Sequence, residues 1–363
     1  MKARIRTVGL ALALGTAAVV AAVLGAAPTG QAQNGPLSGV WTAERSRWKV
    51  AGEGTATIVQ LGLKRRRTGR GDWNSSFTVP LAELRGLSAQ QMDGPRSEVR
   101  FELGRDAGTV TFEGRFQDGD GAGHYTFAPN PEFVAAMREH GYGALDTEKV
   151  FALAVHDVSR ALIRELAAVG YDELTLDQLL SLRIHGATPA FIRDLEALGY
   201  SGLTVDQLLS LRIHGATPEF IRDLAALGYR DLPVDGLVSL RIHGASPEFI
   251  RELKALGLDR LTADQLVSLR IHGATAEFVR DLQALGYGRL DPDQLVSMRI
   301  HGVSPAFIRE LEQLGYESVP VDDLVSMRIH GVTPDFVKRV KASAGRPVTV
   351  DRLVEMRIHG REP

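Results

Sequence analysis

The chain has 363 residues, of which 44% are hydrophobic and 24% charged, and its formal net charge is −2. This length accommodates two domains, and the composition is that of an ordinary folded protein and excludes wholesale disorder. The sequence contains no cysteine, which excludes disulfides, thiolate metal sites and a cysteine nucleophile.

Residues 1–32 have the composition of an export signal. Lys2, Arg4 and Arg6 precede an uncharged apolar run over 8–27, and small residues follow up to Ala32. This order of charged, apolar and small residues predicts a secretory signal that is cleaved after Ala32. A run of about 20 residues also fits an uncleaved membrane anchor. In both cases the sequence predicts an exported protein, periplasmic or extracellular.

Residues 33–126 are predicted to form a small antiparallel β domain. Apolar and polar residues alternate with the period of a half-buried strand in three stretches, 99–103, 110–116 and 125–127. The stretches are joined by segments rich in Gly and Asp, which are typical of hairpin turns. We expect earlier strands around 39–43 and 55–64, a short helix around 87–92, and a sheet or sandwich of about five or six strands.

Three features of the β domain have both a structural and a functional interpretation. Trp41, Trp48 and Trp73 are expected to fill the core of the sheet, with a carbohydrate-binding platform as the alternative. Asp118 and Asp120 fit a tight turn better than a calcium loop, because the series of ligands stops after two carboxylates. A basic cluster forms either a patch for a polyanion or a solvated hairpin tip. Its members are Lys64, Arg65, Arg66, Arg67 and Arg70.

The C-terminal part of the chain repeats itself. The tetrapeptide Arg-Ile-His-Gly recurs seven times at a constant spacing of 29 residues. Degraded copies around His156 and Phe127 extend the pattern towards the N-terminus, so the array is predicted over 127–363. A constant period of this length is the signature of a solenoid with atypical end repeats. The predicted fold class is therefore α+β multidomain, a small antiparallel β domain followed by an α-solenoid of about eight repeats.

Each repeat is predicted to be a hairpin of two helices of about ten residues. Thr204 and Gln207 form a capping box that begins the first helix, and Gly215 ends it in the left-handed C′ position. Thr217 then caps a second helix with Pro218 at its first position. In the second helix apolar residues recur on one face, whereas an arginine interrupts the apolar arc of the first helix.

The arginine of the first helix needs a partner or access to water. We hypothesise a stacking ladder in which each arginine bonds an aspartate or a helix-end carbonyl of the adjacent repeat, with snorkelling to water as the alternative. The arginines of this ladder are Arg183, Arg212, Arg241, Arg270, Arg299 and Arg328. The first-turn aspartates are Asp177, Asp206, Asp235, Asp264, Asp293 and Asp322.

The histidines form a row in register, which we interpret as helix-end residues whose rings meet terminal carbonyls. A ligand-facing polar stripe is the second interpretation. A metal site is the third, and equivalent residues of stacked helices lie too far apart, at about 8–10 Å, to share one zinc ion. The isoleucine of each tetrapeptide is expected to pack in the core. The histidines of the row are His185, His214, His243, His272, His301 and His330, with His359 in the last repeat.

The predicted function is non-enzymatic binding or scaffolding of another envelope or extracellular protein or peptide, or sensing through the helical array, with no cofactor. The sequence carries none of the common catalytic motifs. Residues 127–363 hold 26 basic and 33 acidic residues, a net charge of −7, which argues against a nucleic-acid-binding array because phosphates demand clustered Lys and Arg. An envelope enzyme or enzyme accessory, with its site in the β domain, is the main alternative. The oligomeric state is left open.

Residues 237–253, Leu-Val-Ser-Leu-Arg-Ile-His-Gly-Ala-Ser-Pro-Glu-Phe-Ile-Arg-Glu-Leu, resemble repeats of exported bacterial proteins of unknown function. They also resemble the extracytoplasmic extensions of membrane metallopeptidases of the beta-lactam-sensor and antirepressor type. Residues 108–127 are similar to the strand segment that often introduces such repeats. The resemblance implies an exported helical array. This sequence lacks the zinc motif and the multi-span region of those peptidases, so the resemblance implies no catalytic residue.

Overall fold

A computed structural model describes residues 37–45, 57–65, 72–344 and 347–360. The predicted signal segment, Trp48 and most of the basic cluster lie outside these residues. The chain divides into two compact units between Arg193 and Asp194. The sheet unit is the part before this division, and the array unit is the part after it.

The sheet unit contains one curled antiparallel sheet of seven strands. Their order across the sheet is β3-β2-β1-β7-β6-β5-β4, so the first strand pairs with the last. Every pairing is antiparallel, and β3 and β4, which follow each other in the chain, lie at opposite edges of the sheet. The strands are β1 (Leu37–Arg45), β2 (Ile58–Arg65), β3 (Trp73–Pro80), β4 (Leu84–Arg85), β5 (Ser97–Arg105), β6 (Gly108–Gln117) and β7 (Asp120–Pro129).

The predicted β domain is confirmed, with differences in strand number and at its end. The strands β5, β6 and β7 and the short helix α1 (Ala89–Asp93) match the expectation, and the sheet is single, not a sandwich. Strand β3 was not predicted, because its central residues, Asn74 to Thr78, include only one apolar side chain. Strand β7 continues to Pro129, beyond the predicted end of the domain at 126.

The core of the sheet is aromatic. The rings of Phe101 and Phe112 stack at 4.6 Å between centroids, and the Trp41 indole meets Phe101 edge-on at 5.3 Å. Trp41 and Trp73 are both buried, as expected for core residues. The segment Asp118–Gly119 forms the two-residue turn between β6 and β7, with positive φ at both positions.

Helices follow the sheet within the same unit. Helix α3 packs against β6 and β7, where Phe151 contacts the rings of Trp73, Tyr125 and Phe127. This helix belongs to the degraded repeat around His156. The helices that begin before the division of the chain are α2 (Pro131–Glu139), α3 (Thr147–Val155), α4 (Arg160–Ala167), α5 (Leu176–His185) and α6 (Pro189–Glu196).

The array unit consists of helix pairs of the predicted kind. In each pair the first helix ends in the Arg-Ile-His-Gly tetrapeptide and the second follows after a tight turn. The first helices are α7 (Val205–Ile213), α9 (Val234–Ile242), α11 (Ala263–Ile271), α13 (Pro292–Ile300), α15 (Val321–Ile329) and α17 (Val350–Ile358). The second helices are α8 (Pro218–Ala226), α10 (Pro247–Ala255), α12 (Ala276–Ala284), α14 (Pro305–Gln313) and α16 (Pro334–Ala344).

The capping signals act as predicted. The Thr204 hydroxyl oxygen accepts a hydrogen bond from the backbone N–H of Gln207. In return, the Gln207 side-chain oxygen accepts one from the backbone N–H of Thr204 at 2.9 Å. Thr217 caps the second helix through the N–H of Phe220 at 3.3 Å. Gly215 adopts a φ of 70°, the left-handed conformation that ends the first helix. Pro233 and Pro320 replace the capping residue before α9 and α15, and they provide no side-chain cap.

Within the array unit, first helices pack beside first helices and second helices beside second helices. Each repeat buries Leu208, Leu211, Phe220, Ile221 and Leu224 or their equivalents between these two layers. This arrangement, in which each repeat contacts its neighbours, is that of an α-solenoid. The predicted fold class, a small antiparallel β domain followed by a helical repeat array, is confirmed.

Candidate functional site

The repeat arginine of the array unit lies over an aromatic ring of the preceding repeat. The guanidinium carbon of Arg241 is 4.9 Å from the centroid of the Phe220 ring. Such a distance is that of a cation–π contact. The same contact joins four further pairs at 4.9–5.1 Å, namely Arg270 and Phe249, Arg299 and Phe278, Arg328 and Phe307, and Arg357 and Phe336.

Three of these arginines, Arg270, Arg299 and Arg357, also reach the end of the preceding first helix. Arg270 donates its Nε to the carbonyl of His243 at 3.4 Å, and Arg357 donates its Nε to the carbonyl of Gly331 at 2.9 Å. Glycine at the helix end leaves room for this approach, because a Cβ on Gly215 would lie 3.1 Å from a terminal nitrogen of Arg241. The carbonyl contact proposed for the ladder is therefore made by these three arginines, whereas the Nε of Arg328 is buried without a hydrogen-bond partner.

The first-turn aspartates lie elsewhere. Asp206, Asp235, Asp264, Asp293 and Asp322 are exposed, and no ion pair in the described part of the chain involves them. In the sheet unit, Asp177 is likewise exposed, and Arg183 pairs at 2.8 Å with Asp157, which stands where later repeats have the helix-ending glycine. The arginines thus contact rings and helix ends, and the aspartates form a separate row on the surface.

We expect Arg270→Ala to lower the free energy of unfolding of the array unit by about 0.5–1 kcal/mol, because it removes the contact with Phe249. Arg280→Ala, on the exposed face of a second helix, provides the matched control and is expected to change little. Urea unfolding followed by circular dichroism at 222 nm measures both. Equal midpoints for the two variants would show that the ring contact does not stabilise the stack.

The histidine row ends the first helices through its backbone. In α7, α9, α11, α13 and α15 the histidine occupies the C-cap, and its N–H bonds a carbonyl of the last turn. In the described residues, the rings of His214, His243, His272, His301 and His330 make no hydrogen bond, so a ring-to-carbonyl cap is not formed there. No group of three or more potential metal ligands occurs in the part of the chain that the structure describes.

The isoleucine of the tetrapeptide does not pack in the core, which corrects the expectation from the sequence. Five isoleucines of the array unit expose between 54% and 56% of their surface, and Ile213 exposes 39%. On a helical wheel this residue lies at the margin of the apolar arc of the first helix. The space between the two layers is filled by Leu208 and Leu211. We define the Ile row as Ile213, Ile242, Ile271, Ile300, Ile329 and Ile358.

The structure shows a tyrosine contact that was not predicted. The Tyr229 hydroxyl donates to the carbonyl of Leu261 at 2.8 Å, 32 residues further along the chain. Burial raises the pKa of this hydroxyl, so it stays protonated and able to donate. Tyr200, Tyr287 and Tyr316 make the equivalent bond to Leu232, Val319 and Val348. The Gly-Tyr pair that recurs after α6, α8, α12 and α14 was the available signal.

Leu258 takes the place of this tyrosine in one repeat, and the structure therefore predicts a stabilising substitution. Leu258→Tyr is expected to gain a bond to the carbonyl of Leu290 and to raise the free energy of unfolding by about 0.5–1.5 kcal/mol. Leu258→Phe is the control without the hydroxyl. Thermal unfolding compares the two variants. An equal melting temperature for Tyr and Phe would contradict the inferred bond.

Ion pairs in the sheet unit join helices α3 and α4 to the sheet and to its β5–β6 turn. Arg160 donates to Asp106 through Nη2 at 2.6 Å and through Nε at 3.0 Å, and its backbone N–H also bonds this carboxylate. The Arg160 guanidinium holds the pKa of Asp106 below its ordinary range, against an opposing effect of burial. Arg65 of the predicted basic cluster pairs with Glu148 at 3.0 Å, and Lys64 with Asp72 at 3.5 Å. The described members of the cluster are therefore neutralised within the chain.

His156, at the C-cap of α3, is a half-buried histidine. Burial lowers its pKa, and the nearby Arg183 lowers it further. The folded state therefore binds fewer protons than the unfolded state as the pH falls below the ordinary histidine pKa of about 6.5. The contribution of His156 to stability is fully present above that pH and is lost as the pH falls through the lowered pKa.

We expect His156→Gln to flatten the pH dependence of the stability of the sheet unit between about pH 7.5 and pH 5. All three tryptophans lie in the chain before Arg193, so tryptophan fluorescence during urea unfolding reports on this unit. His124→Gln, an exposed position of β7, is the matched control. If the stability of the His156→Gln variant varies with pH as steeply as that of the unmodified protein, other groups cause the pH dependence.

No protein-family model matches the chain, and no curated protein matches it either. A search of the described residues for membrane spans finds no helix that is long and apolar enough to cross a bilayer. The chemistry of the exposed surfaces is therefore the basis for a functional conclusion.

Proposed function

We propose that this protein is an exported, non-enzymatic binding protein that holds another polypeptide on its helical array. The observation that carries the proposal is the Ile row. Single exposed apolar side chains are common on protein surfaces and need no explanation. Here the same large apolar residue is exposed in six consecutive repeats of the array unit. Apolar surface that recurs in this way is typical of an interface.

Local helix stability does not account for isoleucine at this position. As a β-branched residue it has a lower helix propensity than Leu, Lys, Arg or Glu, which suit an exposed position in the last turn of a helix. Packing does not account for it either, because Leu211 and its equivalents fill the core beside it. Contact with a partner is the function that makes exposed isoleucine useful.

Export is proposed from the N-terminal sequence alone. Lys2, Arg4 and Arg6 followed by the apolar run over 8–27 support it. Cell fractionation and the intact mass of the protein from its source cells test it. We expect the protein in the envelope or the medium, with its N-terminus after Ala32 if the signal is cleaved. Recovery from the cytoplasm with residues 1–32 retained would contradict export.

Photo-crosslinking in the source cells tests the binding function. A benzophenone amino acid is placed in the full chain at Ile213, Ile242, Ile271 or Ile300, one position per variant, and at Arg280 on the exposed face of a second helix as the control. We expect a discrete adduct with another polypeptide from Ile271 and none from Arg280. The absence of an adduct from Ile213, Ile242, Ile271 and Ile300 would overturn the proposal.

A further inference from the structure

We infer that the Ile row binds an extended cationic segment in the polyproline II conformation, with an apolar side chain at every third residue. The inference rests on the proposed binding function and adds the chemistry of the partner. It concerns the array unit only, and specifically the outer face of its first helices.

The outer face carries an acidic row parallel to the Ile row. We define the Asp row as Asp206, Asp235, Asp264, Asp293, Asp322 and Asp351, all exposed. Each aspartate lies seven residues before the isoleucine of the same helix, and two residues seven apart share one helix face. At 1.5 Å per residue the two rows lie about 10.5 Å apart along the helix axis.

The strip between the two rows is apolar as well. Leu209, Val267, Val296 and Val325 occupy the equivalent position in the middle of the face, and each is half-buried. A partner that crosses the first helices therefore meets isoleucine and valine side chains on one side and carboxylates on the other. An aspartate in the first turn also interacts favourably with the helix dipole. The Asp row alone would therefore not define a binding site.

The Asp row favours a basic partner, whereas the repeat arginines, one residue before each isoleucine, lie over phenylalanine rings of the preceding repeat. In the described part of the chain no Lys or Arg forms an ion pair with the Asp row, so its carboxylates are available to lysine or arginine of a bound segment. The same carboxylates repel nucleic acid and anionic lipid. A polypeptide with apolar and basic residues satisfies both rows.

The spacing of the rows favours one backbone conformation. Adjacent packed helices lie about 8–10 Å apart. A polyproline II segment advances about 9.3 Å in three residues and returns its side chain to the same face. In a β-strand, by contrast, residues three apart point to opposite faces, and residues two apart advance only about 6.8 Å. Five steps between six isoleucines span about 45 Å, which corresponds to about 15 residues of polyproline II.

A fluorescent 18-residue peptide of six Leu-Lys-Pro repeats tests the inference with the purified full-length protein. Fluorescence anisotropy measures its affinity. Two control peptides are a scrambled sequence of the same composition and six Leu-Glu-Pro repeats. We expect the first peptide to bind at least tenfold more tightly than either control, and its affinity to fall with salt. Equal affinity for the scrambled peptide, or no binding, would overturn the inference.

Two variants separate the apolar and acidic contributions. Ile242→Ser, Ile271→Ser and Ile300→Ser combined are expected to weaken peptide binding at least tenfold. Asp235→Asn, Asp264→Asn and Asp293→Asn combined are expected to weaken it and to reduce its dependence on salt. The control for net charge combines Glu252→Gln, Asp281→Asn and Glu310→Gln, on the second helices of the same repeats.

Circular dichroism verifies that each variant is folded, which is expected because all the replaced side chains are at least partly exposed. If the Asp row variant and the charge control lose the same amount of peptide affinity, the acidic contribution is an effect of net charge alone. That result would overturn recognition by the Asp row. A crosslinked adduct at Ile271 without peptide binding would leave the proposed function standing and overturn only this inference.

Discussion

Phe151→Ala is expected to lower the free energy of unfolding of the sheet unit by about 3–5 kcal/mol. The Phe151 side chain is 3% exposed and contacts three aromatic rings, with centroid distances of 5.1 Å to Phe127, 5.2 Å to Trp73 and 5.5 Å to Tyr125. Truncation leaves a cavity between helix α3 and the sheet that rigid strands cannot collapse to fill.

Tryptophan fluorescence during urea unfolding measures this effect, because Trp73 is one of the rings in contact. Phe77→Ala in β3 is the matched control, since this phenylalanine is half-exposed. We expect the control to cost much less. If the two substitutions lower the midpoint equally, the aromatic contact between α3 and the sheet is not a principal source of stability.

Gly123→Ala is expected to destabilise the sheet unit by about 3 kcal/mol, the upper end of overpacking effects. A Cβ at this position would lie 2.0 Å from the carbonyl oxygen of Glu113 and 2.7 Å from the Cα of Gly114. Gly114 and Gly123 face each other in β6 and β7, and Gly123 also pairs with Trp41 of β1. The Trp41 indole donates to the Glu113 carbonyl at 3.2 Å across this gap.

Near-ultraviolet circular dichroism, which reports on the packing of Trp41, together with urea unfolding measures the loss. Gly288→Ala is the matched control, because nothing lies within 4 Å of its added Cβ and its φ is ordinary. That substitution is expected to be neutral or to stabilise by about 0.4–1 kcal/mol. A stable Gly123→Ala protein with an unchanged spectrum would show that the strands can separate to admit a side chain.

Much of the array was predictable because its signals are local and repeated. Capping boxes, prolines at first helical positions and glycines after the last turn set the ends of the helices, and each of these signals acts within four residues. Strands β5 to β7 were predictable for a similar reason, since their apolar alternation continues through short turns. Strand β3 was missed because the central part of its sequence is mostly polar.

The contacts between repeats were harder to predict, since they join residues far apart in the sequence. The arginine of one repeat meets the phenylalanine 21 residues earlier, and the hydroxyl of Tyr229 meets a carbonyl 32 residues later. The recurrence of these residues at a fixed spacing is visible in the sequence. The sequence does not show which of them come close together in the folded array. The sequence could not place the isoleucine either, because a residue at the edge of an apolar arc packs inwards or stays exposed according to how the neighbouring helices cross.

The tetrapeptide Arg-Ile-His-Gly therefore combines two kinds of residue. Arginine and glycine join one repeat to the one before it, through the ring contact and the close approach at the helix end. Histidine ends the helix through its backbone. Isoleucine is left on the surface in every repeat of the array unit. The residues that stabilise the stack and the residue available to a partner are adjacent in sequence, which explains why both recur with the same period.

The affinity of the crosslinked partner for the combined Ile242→Ser, Ile271→Ser and Ile300→Ser variant tests the central claim most directly. Arg251→Ser, Arg280→Ser and Arg309→Ser combined, on the second helices of the same repeats, form the control. Once the partner is purified, we expect the isoleucine variant to bind it at least tenfold more weakly than the unmodified protein, and the arginine variant to bind it normally. Unchanged binding by the isoleucine variant would contradict the assignment of the Ile row as the binding surface.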